Sequence, residues 1–454
     1  MTGKSSQINM TEGNILKLMV TFALPILAGN LFQQLYNMVD TWTVGNYVSN
    51  EAFSAVGTVT PICNMLIGAF MGFSNGAAVL ISQLFGAGKE DEVRTAVHTA
   101  AAASLVLAVV FTALGLLLTP LLLGFMNLEP EVFAEAKSYL YIYFAGLFGL
   151  MFYNMGSAIL RAVGDSQRPF YFLAACSAVN IVLDLFFVIV LHLGVEGVAY
   201  ATIIAQFVSA WLTVRCLLRR GDCVRLQPKK IAIQKDQLKI MVRLGIPNAL
   251  QMAIVAFSNI FVQGYINYFG TDITSAWTAY LKIDSLVMMP MMAVAQSAMT
   301  FVGQNLGTGD VKRAKKGVRL SLALSIGICL AMAVVVNLTA PGLVAFFNDK
   351  PEVVENGARF VRVMAWLMFS CAINQVLASA LRGGGDSLAP MIIMVVSFSL
   401  CRQLYLYIMA NYISNTVMPI ALGYPFGWII CSLLMIVYYL KVGLGKKSLV
   451  KRPE

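Results

Sequence analysis

Four residues stand where an apolar segment should carry nothing polar. Asp40 occurs late in the run FQQLYNMVDTW, and Asp184 occurs in the middle of VNIVLDLFFV. A charged side chain in the hydrocarbon of a bilayer is costly, so an acid there marks function by default. Asn180 precedes Asp184 by four residues and so shares its helical face. Thr202 lies early in the next apolar run. Two acids within one apolar lobe do not both ionise comfortably, because desolvation and mutual repulsion favour keeping a proton there. Their protons come off as one linked system. A sodium ion is the alternative guest, since two carboxylates, an amide carbonyl and a hydroxyl suit a hard cation.

A second set of charges lies further on. Lys282 and Asp284 fall in AYLKIDSLVMMP, and Arg402 falls in another apolar run. These are read as buried charges. Lys282 and Asp284 are two residues apart and point differently on a helix. The expectation is a contact across helices, from Asp284 to Arg402 or Lys282, neutral overall. Two roles stay open for it: a fixed ion pair that orients the lobe, or direct handling of substrate. The chain also holds 24 Met and 27 Phe. Flexible Met surfaces and aromatic faces suit varied apolar cations, which makes Tyr36, Phe152, Tyr153, Met288, Met289 and Met292 candidates for a cavity lining.

Other chemistries find no support in the pattern. No Ser-His pairing, HExxH or phosphate-binding loop is present, so no enzyme is indicated. The eight Cys are scattered with no CxxC, and only Cys223 lies in a polar loop. His98 and His192 match no metal pattern.

The elements that must position these residues are membrane spans. Of 454 residues, 59% are hydrophobic and only 12% charged, about half the charge of a soluble domain. Apolar segments run near 16–42, 52–84, 95–124, 136–160, 169–192 and 197–218, then near 240–268, 273–305, 318–346, 358–381, 388–411 and 417–441. Each is long enough to cross a bilayer, and the longer ones imply tilt. The net charge of +10 is distributed by side. Lys4, Lys17, Lys89, Arg94, Arg161, Arg168, Arg382, Lys446, Lys447, Lys451, Arg452 and the clusters at 215–243 and 312–319 fall at the termini and even-numbered loops. The odd-numbered loops are mainly acidic, with Glu51, Glu129, Glu131, Glu135, Glu196, Asp272, Asp349, Glu352 and Glu355. This is the positive-inside distribution, and it places both termini in the cytoplasm with twelve spans between. It argues against a nucleic-acid partner. Residues 1–15 show no cleavable signal.

An internal repeat organises the spans. LRAVGDSQRP at 160–169 answers LRGGGDSLAP at 381–390, an offset of 221. SQLFGAG at 82–88 answers GQNLGTG at 303–309 with the same offset, and Pro25 answers Pro247 with an offset of 222. The chain therefore divides into an N-terminal six-helix lobe at 1–218, a basic cytoplasmic linker at 219–239 and a C-terminal six-helix lobe at 240–454. Six is even, so both halves insert the same way and enclose a cavity between them. The glycine-rich motifs read as helix ends and turns, with Gly for positive φ and Asp or Ser to cap the next helix. The fold class is an all-α integral membrane protein: twelve transmembrane helices in two pseudo-symmetric lobes around a central cavity. Asp184 answers Tyr405, Asn180 answers Cys401 and Asp40 answers Val262. The C-terminal half keeps the scaffold without the carboxylates, so the N-terminal half is the one specialised for a proton or cation.

Twelve spans in two halves, the LRAVGDS and LRGGGDS turns, the GQNLG element, an acid in the first span and N-xxx-D in the fifth resemble the multidrug and toxic compound extrusion (MATE) family. The resemblance covers essentially the whole chain. It implies an antiporter that expels cationic amphipathic compounds and admits protons or sodium. The family's ion site maps onto Asp40, Asn180, Asp184 and Thr202, with Tyr139 joining that network. Gln34, Asn37 and Asn154 are nearby polar candidates for the substrate cavity. Acids typical of the sodium-coupled branch are missing from AIVAFSNIFVQGY and MFSCAINQVLASALRG, which favours protons over sodium. No cofactor and no obligate protein partner are expected, and the setting is a bacterial inner membrane, with antibiotic resistance as the phenotype. The runner-up is a lipid-linked precursor flippase of related fold. It would be expected to hold an anionic pyrophosphate with several cavity Arg or Lys residues, whereas here Lys282 and Arg402 stand beside at least three buried acids.

Overall fold

Backbone polar groups inside hydrocarbon must be satisfied within the segment, which leaves the helix as the solution for a single span. The computed structural model describes residues 7–124, 126 and 128–450, and these are helical with no strand among them. Lys4, Lys451 and Arg452 lie outside the described residues. The first half consists of α1 (Ile15–Tyr47), α2 (Asn50–Gly86), α3 (Glu90–Gly124), α4 (Pro130–Ala145), α5 (Leu147–Ala162), α6 (Gln167–Leu185) and α7 (Gly194–Arg219). A π-helical turn, Phe186–Val190, extends α6. The second half consists of α8 (Lys235–Asn267), α9 (Thr271–Gly307), α10 (Val311–Ala345), α11 (Pro351–Gly383), α12 (Leu388–Val395), α13 (Arg402–Ile408), α14 (Val417–Ala421) and α15 (Gly423–Val442). Wide π turns at Val396–Cys401 and Met409–Ile413 punctuate the span built on α12 and α13.

Among the described residues eleven helical segments are long and apolar enough to cross a membrane, and α4 with α5 forms a twelfth, bent by 48°. The bend falls at Gly146, where a Cβ would collide with Ile203 of α7. The outer surface is apolar as a bilayer requires: on α3, Leu105, Val109, Leu114 and Leu117 are exposed.

The chain packs as two units. One comprises the residues up to Asn9 with Ala28–Ile246, and the other comprises Met10–Leu27 with the chain from Pro247 onward. These units differ from the contiguous stretches 1–218 and 240–454 expected from the repeat. The changeovers fall just after Pro25 and at Pro247, prolines inside α1 and α8, where a helix loses a backbone hydrogen bond and bends most readily. Within the first unit α5 packs on α7 and α2, and α3 packs on α4 and α5. A Cβ at Gly149 of α5 would lie 3.0 Å from the backbone of Gln206 and Phe207, so glycine there lets two helices touch. The first turns of α8 lie against α2, where a Cβ at Gly76 would be 2.6 Å from the Met241 carbonyl oxygen. In the second unit the counterpart residues meet again: the Ser297 hydroxyl donates to the Met19 carbonyl at 3.2 Å. Gln304 accepts from the Met10 amide at 3.2 Å, and Asn305 donates to the Met10 carbonyl at 3.0 Å. The GQNLG element thus ends α9 and also clamps the chain that leads into α1.

The two repeated turns are built alike. Gly164 and Gly385 both have φ of +90°, the left-handed region that glycine enters freely. Asp rather than Ser supplies the cap: Asp165 accepts from the Arg168 amide at 3.2 Å, and Asp386 accepts from the Ala389 amide at 3.3 Å. The second oxygen of each takes a basic residue from the chain that follows the lobe's last helix. Asp165 meets Arg220 at 3.1 Å, and Asp386 meets Lys447 at 2.9 Å. The bond to Asp386 holds the Lys447 amine above its ordinary range.

The stretch expected to be a basic linker is docked on the first unit over much of its length. The Leu226 amide donates to Leu217, the Gln227 amide donates to Nε2 of His98 at 3.0 Å, and the Gln234 amide donates to Thr99 at 3.2 Å. His98 Nδ1 lies 2.6 Å from the Arg94 carbonyl, so this histidine is a structural pin. Cys223, although in a polar stretch, is buried by the same docking.

The Asp165–Arg220 pair is buried on both sides, whereas the Lys447 side chain is 45% exposed. Asp165→Ala is therefore expected to lower stability by about 2 kcal/mol, because it removes a helix cap and the buried pairs to Arg168 and Arg220, while Arg220 keeps its bonds to Asp222. Asp386→Ala should cost about 1 kcal/mol, as for a solvent-screened pair. Denaturant titration of the purified protein in detergent measures both, and equal losses would contradict the assignment.

Candidate ion-coupling site

Four helices of the first unit bring the polar residues together. Asp40 comes from α1 beyond the changeover at Ala28, Tyr139 from α4, Asn180 and Asp184 from α6, and Thr202 from α7. Asp184 is the penultimate residue before the π turn at Phe186–Val190. Such wide turns re-aim side chains and cluster at functional sites. Asp184 is fully buried, Asn180 and Thr202 nearly so, and Asp40 half-buried. The Asp40 and Asp184 carboxyls stand within hydrogen-bonding reach of each other. Tyr139 is buried within electrostatic reach of both, together with Tyr36 and Cys63.

Proximity does not satisfy these groups. Two ionised carboxylates are acceptors only, so neither can donate to the other. Both oxygens of Asp184, Oδ1 of Asp40, both polar atoms of the Asn180 amide and the Thr202 hydroxyl are buried with no hydrogen-bond partner among the described residues. Each such atom costs about 1–3 kcal/mol, and buried polar groups are ordinarily paired. Six unsatisfied atoms in one cluster depart from that rule. One proton between the carboxyls turns an acceptor into a donor. The same oxygens have the chemistry to surround a hard monovalent cation. No cluster of three or more His, Cys, Asp and Glu suited to a metal ion occurs among the described residues.

Two further residues belong to this polar core. Thr43, three positions after Asp40, is fully buried with its hydroxyl unpartnered, and Gln206, four positions after Thr202, has a buried, unpartnered Oε1. Their i+3 and i+4 spacing from Asp40 and Thr202 is the signal that locates them in the sequence. Of the cavity candidates, Tyr36 lies within electrostatic reach of Asp40 and Tyr153. Tyr153 donates to the Pro169 carbonyl at 3.3 Å, and Asn154 donates to the Leu150 carbonyl at 2.8 Å. Gln34 and Phe152 are half-buried and Asn37 is exposed. In the second unit Met288 packs against the core, Met289 is half-buried and Met292 is exposed.

The second unit's charges are arranged differently from expectation. Lys282 is exposed rather than buried. Asp284 is buried but contacts neither Lys282 nor Arg402, and accepts from the Tyr280 hydroxyl at 3.2 Å. Arg402 is buried and donates to the Ser258 hydroxyl and the Asn259 side-chain oxygen, each at 2.8 Å. The reason is local: Arg402 follows the π turn Val396–Cys401, which directs it toward α8. Helical spacing sends Lys282 and Asp284 to different faces.

Residues 25–186 and 247–408 each match the MatE family model. The chain belongs to the MatE family. The two MatE matches begin at Pro25 and Pro247, the prolines that mark the changeovers between packing units. Among relatives, the chain is 27% identical to "Probable multidrug resistance protein YpnP" of Bacillus subtilis (strain 168), over 95% of this chain and 96% of that one. It is 27% identical to "Probable multidrug resistance protein NorM" of Thermotoga maritima, over 96% and 95% of the two chains. Among solved structures, an outward-facing MATE family transporter of the MOP superfamily shares 22% identity and superposes with a TM-score of 0.89, covering 97% of this chain and 98% of that one. This MatE protein therefore has the fold of those transporters.

Because the Thr202 hydroxyl is buried and unpaired, Thr202→Val is expected to raise stability by about 1 kcal/mol while weakening ion binding at the site. Thermal unfolding in detergent with and without a pH step reads both. A variant that melts below the wild-type protein would show that the hydroxyl has a partner.

Proposed function

We propose that this protein is a secondary active multidrug exporter, which expels small cationic amphipathic molecules in exchange for protons entering through the Asp40–Asp184 site. The observation that carries the reading is the pair of facing carboxyls surrounded by unsatisfied polar atoms in the first unit. Relatives named as probable multidrug resistance proteins, alike over nearly their whole length, support the substrate class. The positive-inside charge distribution supports cytoplasmic termini.

In this scheme the ionised carboxyls attract a cationic substrate. Protonation from outside removes that attraction, and the polar network of Asp40, Asn180, Asp184, Thr202 and Tyr139 rearranges. Helix α1, which lacks a backbone hydrogen bond at Pro25, bends in response and the substrate leaves. The proton is released inside after the lobes alternate. Coupling requires only that proton and substrate bind one state with different affinity. Sodium is the alternative ion, held by the same oxygens. The flippase reading is not favoured: an anionic pyrophosphate needs several cationic groups, while Lys282 is exposed and Arg402 is already engaged by Ser258 and Asn259.

Ethidium efflux from proteoliposomes, with proton and sodium gradients imposed separately, tests the scheme. Proton-driven efflux is expected in the wild-type protein, with a loss of at least tenfold in Asp184→Asn and in Asp40→Asn without loss of folded protein. Efflux driven by sodium alone would reassign the coupling ion. Full activity in both variants would remove the site from the mechanism.

A further inference from the structure

Buried carboxyl groups need a cation, several donors or a proton, and one such group in the second unit has neither of the first two. Asp284 lies well inside α9, about 20 Å along the helix from its start, and is only 9% exposed. Among the described residues its one hydrogen-bond partner is the Tyr280 hydroxyl at 3.2 Å. The titratable groups within electrostatic reach are Tyr280 on its own helix, Tyr424 on α15, Cys371 on α11 and Cys329 on α10. All are ordinarily neutral. Two cations of this unit are buried: Arg402 is held by Ser258 and Asn259 and stacks 4.9 Å from the Tyr424 ring centre, and Arg382 donates to the Gln251 side-chain oxygen at 2.7 Å. Lys282 is exposed.

We propose that Asp284 is a second proton-carrying site of this transporter, confined to the second unit and separate from the Asp40–Asp184 pair. An ionised carboxyl buried with one neutral donor is strongly unfavourable, and protonation of its other oxygen removes the charge while Tyr280 keeps donating to Oδ1. A hard cation draws about six oxygen ligands, whereas the side chain bonded to this carboxyl is a single hydroxyl, Tyr280. An organic cation would need an open aromatic box. Trp277 is fully buried, with ring centres of Tyr280, Phe360 and Tyr424 at 4.8, 5.3 and 5.4 Å, so the aromatic cluster is filled by its own members. The first unit's site has loose oxygens that suit either ion, whereas this lone carboxyl with one neutral donor suits a proton. The exporter then moves one more proton per substrate than the first unit alone supplies.

The inference rests on the exporter reading for its consequence but not for its chemistry, and two measurements separate them. The first is infrared difference spectroscopy between acid and alkaline pH on purified protein carrying Asp40→Asn and Asp184→Asn. A carboxylic acid carbonyl band is expected, lost on adding Asp284→Asn and shifted in frequency on adding Asp284→Glu. Absence of any band responsive to position 284 overturns the proposal, and Asp284→Glu decides the matter should Asp284→Asn fail to fold. The second is the proton gradient at which ethidium flux reverses in proteoliposomes, which reports protons per ethidium. Asp284→Asn is expected to need one proton fewer, with Asp284→Glu restoring the wild-type value; an unchanged ratio in Asp284→Asn overturns the proposal. Should the wild-type protein show no proton-driven ethidium flux, the exporter reading fails while the infrared band still stands or falls by itself.

Discussion

A carboxyl group inside hydrocarbon must be neutralised, and in this protein two of them stand within reach of each other. That constraint organises the first unit. Asp184 reaches its place at the end of α6, where the π turn begins, and Asp40 reaches its place on the part of α1 that packs with the first unit. Asn180, Thr202 and Tyr139 surround them from α6, α7 and α4, and most of their polar atoms are left without protein partners. A site that were purely structural would be expected to satisfy these atoms, because buried polar groups in native proteins are paired almost without exception.

The second unit solves the same scaffold with different polar content. Arg402 finds Ser258 and Asn259, and Tyr424 covers its guanidinium face. Asp284 finds only Tyr280 among the described residues. Duplication preserved the helix ends, the prolines and the turns, all of which answer to backbone geometry. The side chains within the lobes diverged, since nothing in the backbone requires a carboxylate at Tyr405 or Val262, the counterparts of Asp184 and Asp40.

The repeated turns show what the scaffold does require. Asp165 and Asp386 each cap a helix with one oxygen and secure the chain leaving the lobe's last helix with the other. The linker after α7 becomes a docked segment through Arg220, His98 and Thr99. Prolines at 25 and 247 sit where α1 and α8 change packing unit, so the weakest points of the two helical ladders coincide with the boundaries between cooperatively packed bodies. Rigid bodies joined at such points are the ordinary substrate for hinge motion.

Composition and periodicity alone determined that this is a helical membrane protein with a duplicated scaffold, because long apolar runs and a fixed offset need no tertiary information to be seen. They also marked Asp40, Asn180, Asp184 and Thr202, since polar residues in an apolar run are conspicuous wherever they point. Tyr139 entered only through family resemblance: a tyrosine in a span has too many ordinary uses to stand out. Tertiary structure decided which polar groups meet. The expected contact from Asp284 to Arg402 or Lys282 fails because a π turn shifts the phase of the helix before Arg402, a departure from 3.6 residues per turn that spacing does not reveal. The packing units likewise depart from the halves of the repeat, because a helix long enough to cross a bilayer is continuous in sequence but free to pack its two ends on different bodies.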